Sequence, residues 1–384
     1  MGIKIKIKTD LCNLFMMHLK RGEIKKFKDK RRKEIYTKTD LSKKQKESIN
    51  KFFKENYGKK VPFTWHKYYT SFTGNFDVRY IPEMLYIPEF EFFENSKREY
   101  AKVIEDKNIL PIFAKYVDVY MPSLYVQCIN GIKKNNKGEL LSSMEEVVKI
   151  IDNKEVFIKP SVDSNSGHGC KLLNIRDGID MNTGKSCKEI LTTLGENYLV
   201  QEKIICHKSL RDIYDKSVNT FRVITYLFNG KVWHMPVILR IGQGGAVVDN
   251  AHAGGMFIAV DDNGDLHKTA FTEFNKRYDE HPDTKLKYES YNIPNVKGII
   301  DAAYRMHNLI PQLGCINWDF TLNEECKPVL IEANVLGGSI WLPQIAHGKG
   351  AFGDNTEDIL KWIRENKKKN YNERIIKHLS SERE

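Results

Sequence analysis

Residues 317–335, NWDFTLNEECKPVLIEANV, constrain the fold more than any other stretch of this 384-residue chain. They read as two apolar strands around the polar turn NEECKP, yet each strand carries a carboxylate. A turn symmetric about Glu325 and Cys326 pairs position 319 with 332, 318 with 333 and 320 with 331. Strand alternation then sets Asp319, Glu332 and Asn334 on one face. Trp318, Phe320, Ile331 and Ala333 fall on the other, which reads as the core face. Opposed carboxylates on neighbouring strands repel each other. A divalent cation relieves that repulsion, and Mg²⁺ takes one or two carboxylates together with phosphate oxygens and water. The amide oxygen of Asn334 adds another hard donor. The simpler alternative is the solvent-facing side of an edge hairpin, and a phosphate site elsewhere in the chain favours the metal.

Such a site is offered by FIKPSVDSNSGHGCKLL. A strand ends at Lys159-Pro160, and a loop with Ser161, Ser164, Ser166, Gly167 and Gly169 leads straight into a second strand. Glycine and serine let backbone amides approach an anion, and a strand-anchored lysine adds a fixed charge. The loop is neither a Walker loop, since no Gly-Lys-Ser/Thr opens a helix, nor a dinucleotide fingerprint. Standing alone it also fits an ordinary polar hairpin loop; the loop and the downstream Asp…Glu-x-Asn hairpin together are far more specific.

The remaining pattern is mixed. Residues 1–60 are helical and polar, and 61–100 are aromatic-rich and broken by prolines, which predicts an irregular, well-packed segment. VIEDKNILPIFAKYV is helix-like, and SLYVQCI and GIKKNNKGELL are strand-like. SSMEEVVKIID has a helix start at Ser143. NYLVQEKII is a strand, and Asn229-Gly230 turns a hairpin within NTFRVITYLFNGKVWHMPVILRIG. The C-terminal NTEDILKWIRENKKKNYNERIIKHL reads as one basic amphipathic helix. Many hairpins with interspersed helices indicate an α+β class.

The net charge is +11, and its excess lies in residues 1–60, which hold 20 Lys+Arg against 7 Asp+Glu. A solvated helical face or loose arm accounts for this. So does attraction to an anionic glycan or membrane surface, and LFMMHLKRGEIKKFKDKRRK has the pattern of an amphipathic helix on acidic lipid. Without interleaved aromatics or a reading helix, nucleic acid is not expected. No apolar run is long enough to span a bilayer, and the N-terminus lacks a signal-peptide core. Seven scattered cysteines without a CxxC pair suit a reducing cytoplasm and argue against a disulfide framework or a zinc site.

Over residues 103–345 the motifs resemble the ATP-grasp superfamily, in which two α/β lobes grip ATP between antiparallel sheets and join a carboxylate to an amine or thiol through an acyl phosphate. The resemblance implies that Lys159 contacts the nucleotide phosphates and that Ser164, Ser166, Gly167 and Gly169 form the flexible loop. It implies that Glu202, Lys203 and Ile204 lie near the base, and that Asp319, Glu332 and Asn334 bind Mg²⁺ as a pair of ions. The second phosphate lysine is Lys107 or Lys115. The pattern of Arg222, Arg240, Asn250 and Gly254-Gly255 is similar to that of ribosomal-protein glutamate ligases, with both arginines facing the phosphates and Asn250 bordering the acceptor. Fixed guanidinium groups suit an acyl phosphate and its oxyanion. His252 is either structural or a proton-transfer group. SVNTFRVIT, LRIGQGGAVVDN, AGGMF and WHKYYTSFTGNFDVRYIPE resemble sugar-transfer-associated ATP-grasp proteins of bacterial polysaccharide gene clusters. That likeness implies amide formation between a uronic-acid carboxylate and an amino acid or amine, in the cytoplasm or at the inner membrane face. Rival readings are a kinase acting on a hydroxyl and a non-catalytic nucleotide- or glycan-binding protein. The expected organisation is a basic helical segment (1–60), a pre-ATP-grasp region (61–150), a small lobe (151–210) and a large lobe with the metal site (211–384).

Overall fold

The computed structural model describes residues 2–161 and 169–374, which build two antiparallel sheets and their covering helices. The smaller sheet contains β1 (Leu124–Ile129), β2 (Ile132–Asn135), β3 (Leu140–Leu141), β4 (Glu155–Pro160), β5 (Lys171–Arg176), β6 (Ile179–Asp180) and β7 (Tyr198–Glu202). Their order in space is β3-β2-β1-β7-β4-β5-β6. Helices Met144–Ile151 and Cys187–Thr192 supply Val147, Ile151, Ile190 and Leu191 to a core with Val126, Val156, Ile158 and Val200. Both helices start at a serine cap, Ser143 on the amide of Glu146 and Ser186 in a capping box with Glu189. Strands on either side of residue 150 share this sheet, so a boundary there divides β1–β3 from their partner β7. Local periodicity carries no signal of such long-range pairing.

The larger sheet contains β8 (Thr220–Phe228), β9 (Lys231–His234), β10 (Val237–Ile241), β11 (Met256–Val260), β12 (Ala270–Phe271), β13 (Arg277–Tyr278), β14 (Cys315–Leu322) and β15 (Pro328–Asn334). β8 and β9 turn at Asn229 and Gly230, both with positive φ (50° and 69°), as a primed two-residue turn requires. The sheet is covered on both faces, so β10 and β11 are buried at every position. Leu239 and Ile258 face helix Val296–Leu309 through Ile299 and Met306, whereas Ile238 and Phe257 face Trp65, Tyr68 and Trp341.

The first hundred residues are integral to this packing. Helices Gly2–Lys26, Lys30–Thr37 and Lys43–Asn56 are not a loose arm: Ile49 and Phe53 of the third join Ile224 and Tyr226 of β8 in one core. Residues 61–100, expected to be irregular, contain helix Thr64–Thr73 and a π-helical turn, Tyr86–Glu91. Pro82 stands at a helix cap and Pro88 in the wide turn, places where a missing N–H removes no α-helical bond. The C-terminal helix spans only Thr356–Asn366. Arg374 folds back to donate to the carbonyls of Asn366 (3.1 Å) and Lys367 (2.8 Å), and Asn370 caps a new start at Tyr371. Residues 375–384 lie outside the described part.

Candidate active site

The β14–β15 hairpin keeps its expected facing pair, though by a different route. Asn323, Glu324, Glu325 and Cys326 form a tight turn with Cys326 in the left-handed region (φ 61°), so Leu322 pairs with Pro328 and Phe320 with Leu330. This is one residue out of step with a symmetric turn. A bulge at Ile331 restores the register, and Asp319 lies opposite Glu332, Trp318 opposite Ala333 and Asn317 opposite Asn334. Ile331 consequently leaves the core face expected for it and lines the cleft beside Glu332.

That cleft, about 940 Å³, runs between the two sheets. The smaller sheet contributes Phe157, Lys159, Leu172 and the chain from Lys203 to Cys206, and the larger contributes Thr220, Arg240, Asp319 and Glu332. Lys107, in the turn between helices Arg98–Glu105 and Leu110–Tyr116, reaches the same floor, with Nζ 3.4 Å from Glu332 Oε2. Lys115 is exposed and does not line the cleft. Lys159 is buried at the end of β4; burial, and then the charge of Lys107, push its ammonium down to about 8.

Asp319 is fully buried between two guanidinium groups. Arg222, its cross-strand neighbour on β8, donates from Nε (2.5 Å) and Nη2 (3.0 Å), and Arg240 donates from Nη2 (3.0 Å). Burial opposes ionisation here, but Arg222 and Arg240 outweigh it and hold the carboxyl below its ordinary range. The repulsion foreseen between Asp319 and Glu332 is therefore offset by these arginines and by Lys107. Arg240 is itself fixed by Thr220 Oγ1 (2.9 and 2.7 Å), Asn250 Oδ1 (3.2 Å) and Asp249 (3.5 Å). Arg222 is spent on Asp319 and does not line the cleft, contrary to the expectation that both arginines face it. Two further polar groups of this cluster, Asp249 and Thr220, went unnoticed in the sequence because both read as ordinary strand and loop positions. Burial raises the Asp249 carboxyl despite Arg240, and Thr220 donates to it from both its amide (3.0 Å) and its hydroxyl.

The glycines after Asn250 have packing reasons. Gly254 adopts φ 94°, and a Cβ on Gly255 would stand 2.3 Å from the carbonyl oxygen of Asp249. His252 lies off the cleft, with Nδ1 2.8 Å from Glu273 Oε2. On the side expected to border the base, β7 ends at Glu202 and Lys203–Ile205 line the cleft wall. Lys203 and Ile204 line the cleft, but the Glu202 carboxylate turns away, accepting from the Tyr120 hydroxyl and from the Ser123 amide (2.8 Å). Ser164, Ser166 and Gly167 lie outside the described residues. Gly169, at the far end of that loop, has φ 78° and packs on Pro160.

The segment after Asn334 is held from the N-terminal helices. Glu105 accepts from the amides of Val335 (2.7 Å) and Leu336 (3.1 Å), Glu91 from Gly337 (2.6 Å) and Glu83 from Ile340 (2.9 Å). Burial raises Glu83 and Glu91 to about 8, so both are mostly protonated at neutral pH.

Glu332 and Asn334 offer oxygen donors to a hard divalent cation, and Asp319 would join them only by giving up part of its contact with Arg222 and Arg240. Glu332 is 28% exposed to the cleft, Asp319 lies beside it, and Asn334, bonded through Nδ2 to Glu332 Oε1 (3.3 Å), carries a carbonyl oxygen on the same face. Four cationic side chains, Lys107, Lys159, Arg222 and Arg240, surround three carboxylates, Asp249, Asp319 and Glu332. Such a floor attracts a polyanion, and the apolar walls at Phe157, Leu172, Ile204 and Ile331 accept a flat ring.

The charged floor thus lies between two antiparallel sheets. Residues 88–359 match the model of the sugar-transfer associated ATP-grasp family, and the chain belongs to that family. Among similar solved structures is D-alanyl-alanine synthetase A from Vibrio cholerae, at 14% identity and TM-score 0.41, over 69% of this chain and 64% of the other. A D-Ala:D-Ser ligase from Enterococcus faecalis matches at 12% identity and TM-score 0.39, over 68% and 61%. An L-amino acid ligase from Bacillus licheniformis matches at 11% identity and TM-score 0.37, over 72% and 50%. The chain thus spans less than two thirds of the length of these structures. No curated protein matches it. Among the described residues no helix is long and apolar enough to cross a membrane.

Proposed function

We propose that the protein is an ATP- and Mg²⁺-dependent carboxylate–amine ligase that attaches an amino acid or amine to a uronic-acid carboxylate of a capsular or other surface glycan. The observation that carries this reading is the convergence of Lys107, Lys159 and Arg240 on Asp319 and Glu332 in one cleft. Lys107 and Lys159 hold the nucleotide phosphates with the loop at Ser164, Ser166, Gly167 and Gly169, while the backbone of Lys203–Ile205 borders the base. Asp319, Glu332 and Asn334 hold Mg²⁺, which supplies charge neutralisation during phosphoryl transfer. The substrate carboxylate attacks the γ-phosphorus and ADP leaves. The amine nitrogen then attacks the acyl carbon, phosphate leaves and the amine gives up a proton. Arg240, held rigid by Thr220, Asp249 and Asn250, presents its guanidinium to the acyl phosphate and the oxyanion that follows. Arg222 acts one step behind it, by fixing Asp319.

The proposed setting is the cytoplasm, with residues 1–60 as a contact to the anionic inner membrane face or to the glycan. Ile3, Ile7, Leu11 and Leu14 form an exposed stripe along the first helix among its lysines, which supports that contact. Binding to acidic vesicles that is unaffected by replacing these four residues with Ser would refute it.

Uronic acids and uronate glycans crossed with a panel of amino acids, read by ADP release and product mass, test the activity. Phosphate should be released only when both carboxylate and amine are present. Phosphate retained on the acceptor would make the protein a kinase on the same scaffold, and nucleotide binding without turnover across the panel would make it a binding protein.

A further inference from the structure

Away from the cleft, Asp261, His267 and His347 bring one ligand atom each within 4.8 Å of one another. Asp261 and His267 flank the tight turn after β11: the Gly264 amide donates to the Asp261 carbonyl (2.8 Å), and the His267 amide returns to Ala259 (3.0 Å). His347 ends helix Trp341–His347, whose first turn follows the segment leaving Asn334. Its ring is buried beneath His267, with centroids 4.9 Å apart. Nε2–H of His347 donates to the Val237 carbonyl at 2.7 Å, which leaves the lone pair on Nδ1. That nitrogen is buried and has no hydrogen-bond partner.

An orphaned buried acceptor is costly and calls for an explanation. The ring lies against a second imidazole with a carboxylate close by, and its other nitrogen is anchored on a backbone carbonyl, as metal-ligating histidines are anchored. We infer that Asp261, His267 and His347 form a second cation site, for Zn²⁺ or a divalent ion of similar softness, distinct from the nucleotide cleft. Two imidazoles with one carboxylate suit such an ion, whereas Mg²⁺ prefers oxygen donors throughout. His267 Nε2 stands 3.2 Å from Asp261 Oδ1. Bonds of about 2.0–2.1 Å at tetrahedral angles separate donors by about 3.3 Å. The exposed edges of Asp261 and His267 leave a fourth position to water. Lys349 is the cation facing this cluster, and it is offset by Asp262, itself bridged to His234 at 3.5 Å. The scattered cysteines are silent about this donor set, because the ligands are two histidines and an aspartate from distant segments. The ion would tie the turn after β11 to the helix that follows the β14–β15 hairpin.

The test is Zn²⁺ binding to the full chain in excess Mg²⁺, followed by calorimetry and by the visible absorption of a Co²⁺-substituted sample. One equivalent should bind and raise Tm. Asp261→Ala, at an exposed position, and His267→Ala, at a half-buried one, should each lose more than the roughly tenfold in affinity that removal of a mere supporting partner costs. Their metal-free Tm should stay unchanged, and Glu332→Gln should bind Zn²⁺ as the parent does. Absence of stoichiometric binding, full affinity in both variants, or loss of binding in Glu332→Gln would each overturn the assignment.

Discussion

Asp319 and Glu332 face each other across one strand pair, yet their surroundings give them opposite characters. Asp319 is sealed between Arg222 and Arg240, so Asp319→Asn leaves Arg222 without its counter-ion and Arg240 with Asp249 alone. Removing one member of a buried ionic cluster costs about 3–5 kcal/mol, and thermal unfolding should show that loss. Glu332 opens to the cleft, and its ionic partner is Lys107. Glu332→Gln should therefore abolish turnover while changing stability by no more than about 1 kcal/mol, checked by Tm beside the steady-state rate. A comparable Tm loss in both variants would contradict this division. Lys159 gives a pH dependence with a definite sign. Its ammonium is pushed down to about 8, so free protein loses that charge as pH rises through 8, whereas phosphate-bound protein retains it. ATP affinity should be flat below that value and fall by up to about tenfold per pH unit above it. Lys159→Met should bind weakly at all pH and lack the inflection. At this scale the sequence singled out Asp319, Glu332 and Lys159, and left Lys107 open beside Lys115. The arginine clamp was not, since it depends on β8 lying beside β14, nor was Asp249, whose significance arises only from its burial against Arg240.

Among the elements, the hairpin of β14 and β15 shows what strand periodicity can and cannot deliver. Period-two alternation put Asp319 and Glu332 on one face, and they are there. A three-residue loop with Cys326 in the left-handed region would have shifted every later pair by one, and the bulge at Ile331 cancels that shift. Two compensating irregularities are invisible to a pattern that assumes none. The same limit hid the acids that hold residues 335–340, because Glu83 and Glu91 read as routine charges in an aromatic segment and Glu105 as one in a helix. Their burial has a thermodynamic signature. Glu83 is raised to about 8 by burial and then by the charge of Glu23, with Lys26 opposing. The folded state therefore binds more protons than the unfolded state between about 4.5 and 8, and stability must fall as pH rises through that window. Glu83→Gln should flatten the decline in Tm from pH 5 to pH 8; a slope equal to that of the parent would mean that Glu83 does not titrate there.

Taken as a whole, the molecule departs most from its sequence in the first hundred residues. Charge and polarity suggested a separate basic segment, because composition counts every lysine and does not register the few positions that turn inward. Those positions decide the matter: Phe53 is fully buried against the large sheet, with Ile49 beside it. Phe53→Ala should destabilise the entire protein by about 3–5 kcal/mol in denaturant titration, a loss that a solvated arm would not transmit. The fold class and the covering helices followed from pattern. The seven-stranded sheet did not, because β1 meets β7 only after some seventy intervening residues have folded.

Lys107 occupies a seam. Its flanking helices sink Ala101, Ile104 and Leu110 into the core of the large sheet, while its own amide donates to Ser161, at the end of β4 in the small one. Its ammonium then reaches across to Glu332. The ion pair thus ties that seam to the β14–β15 hairpin with groups that, under the proposed function, a nucleotide would claim. Bound phosphates would then compete with Glu332 for the lysine and free the carboxylate. Salt weakens such a pair. Small-angle scattering should show the empty protein expanding as ionic strength rises, and the ATP-filled protein holding its dimensions.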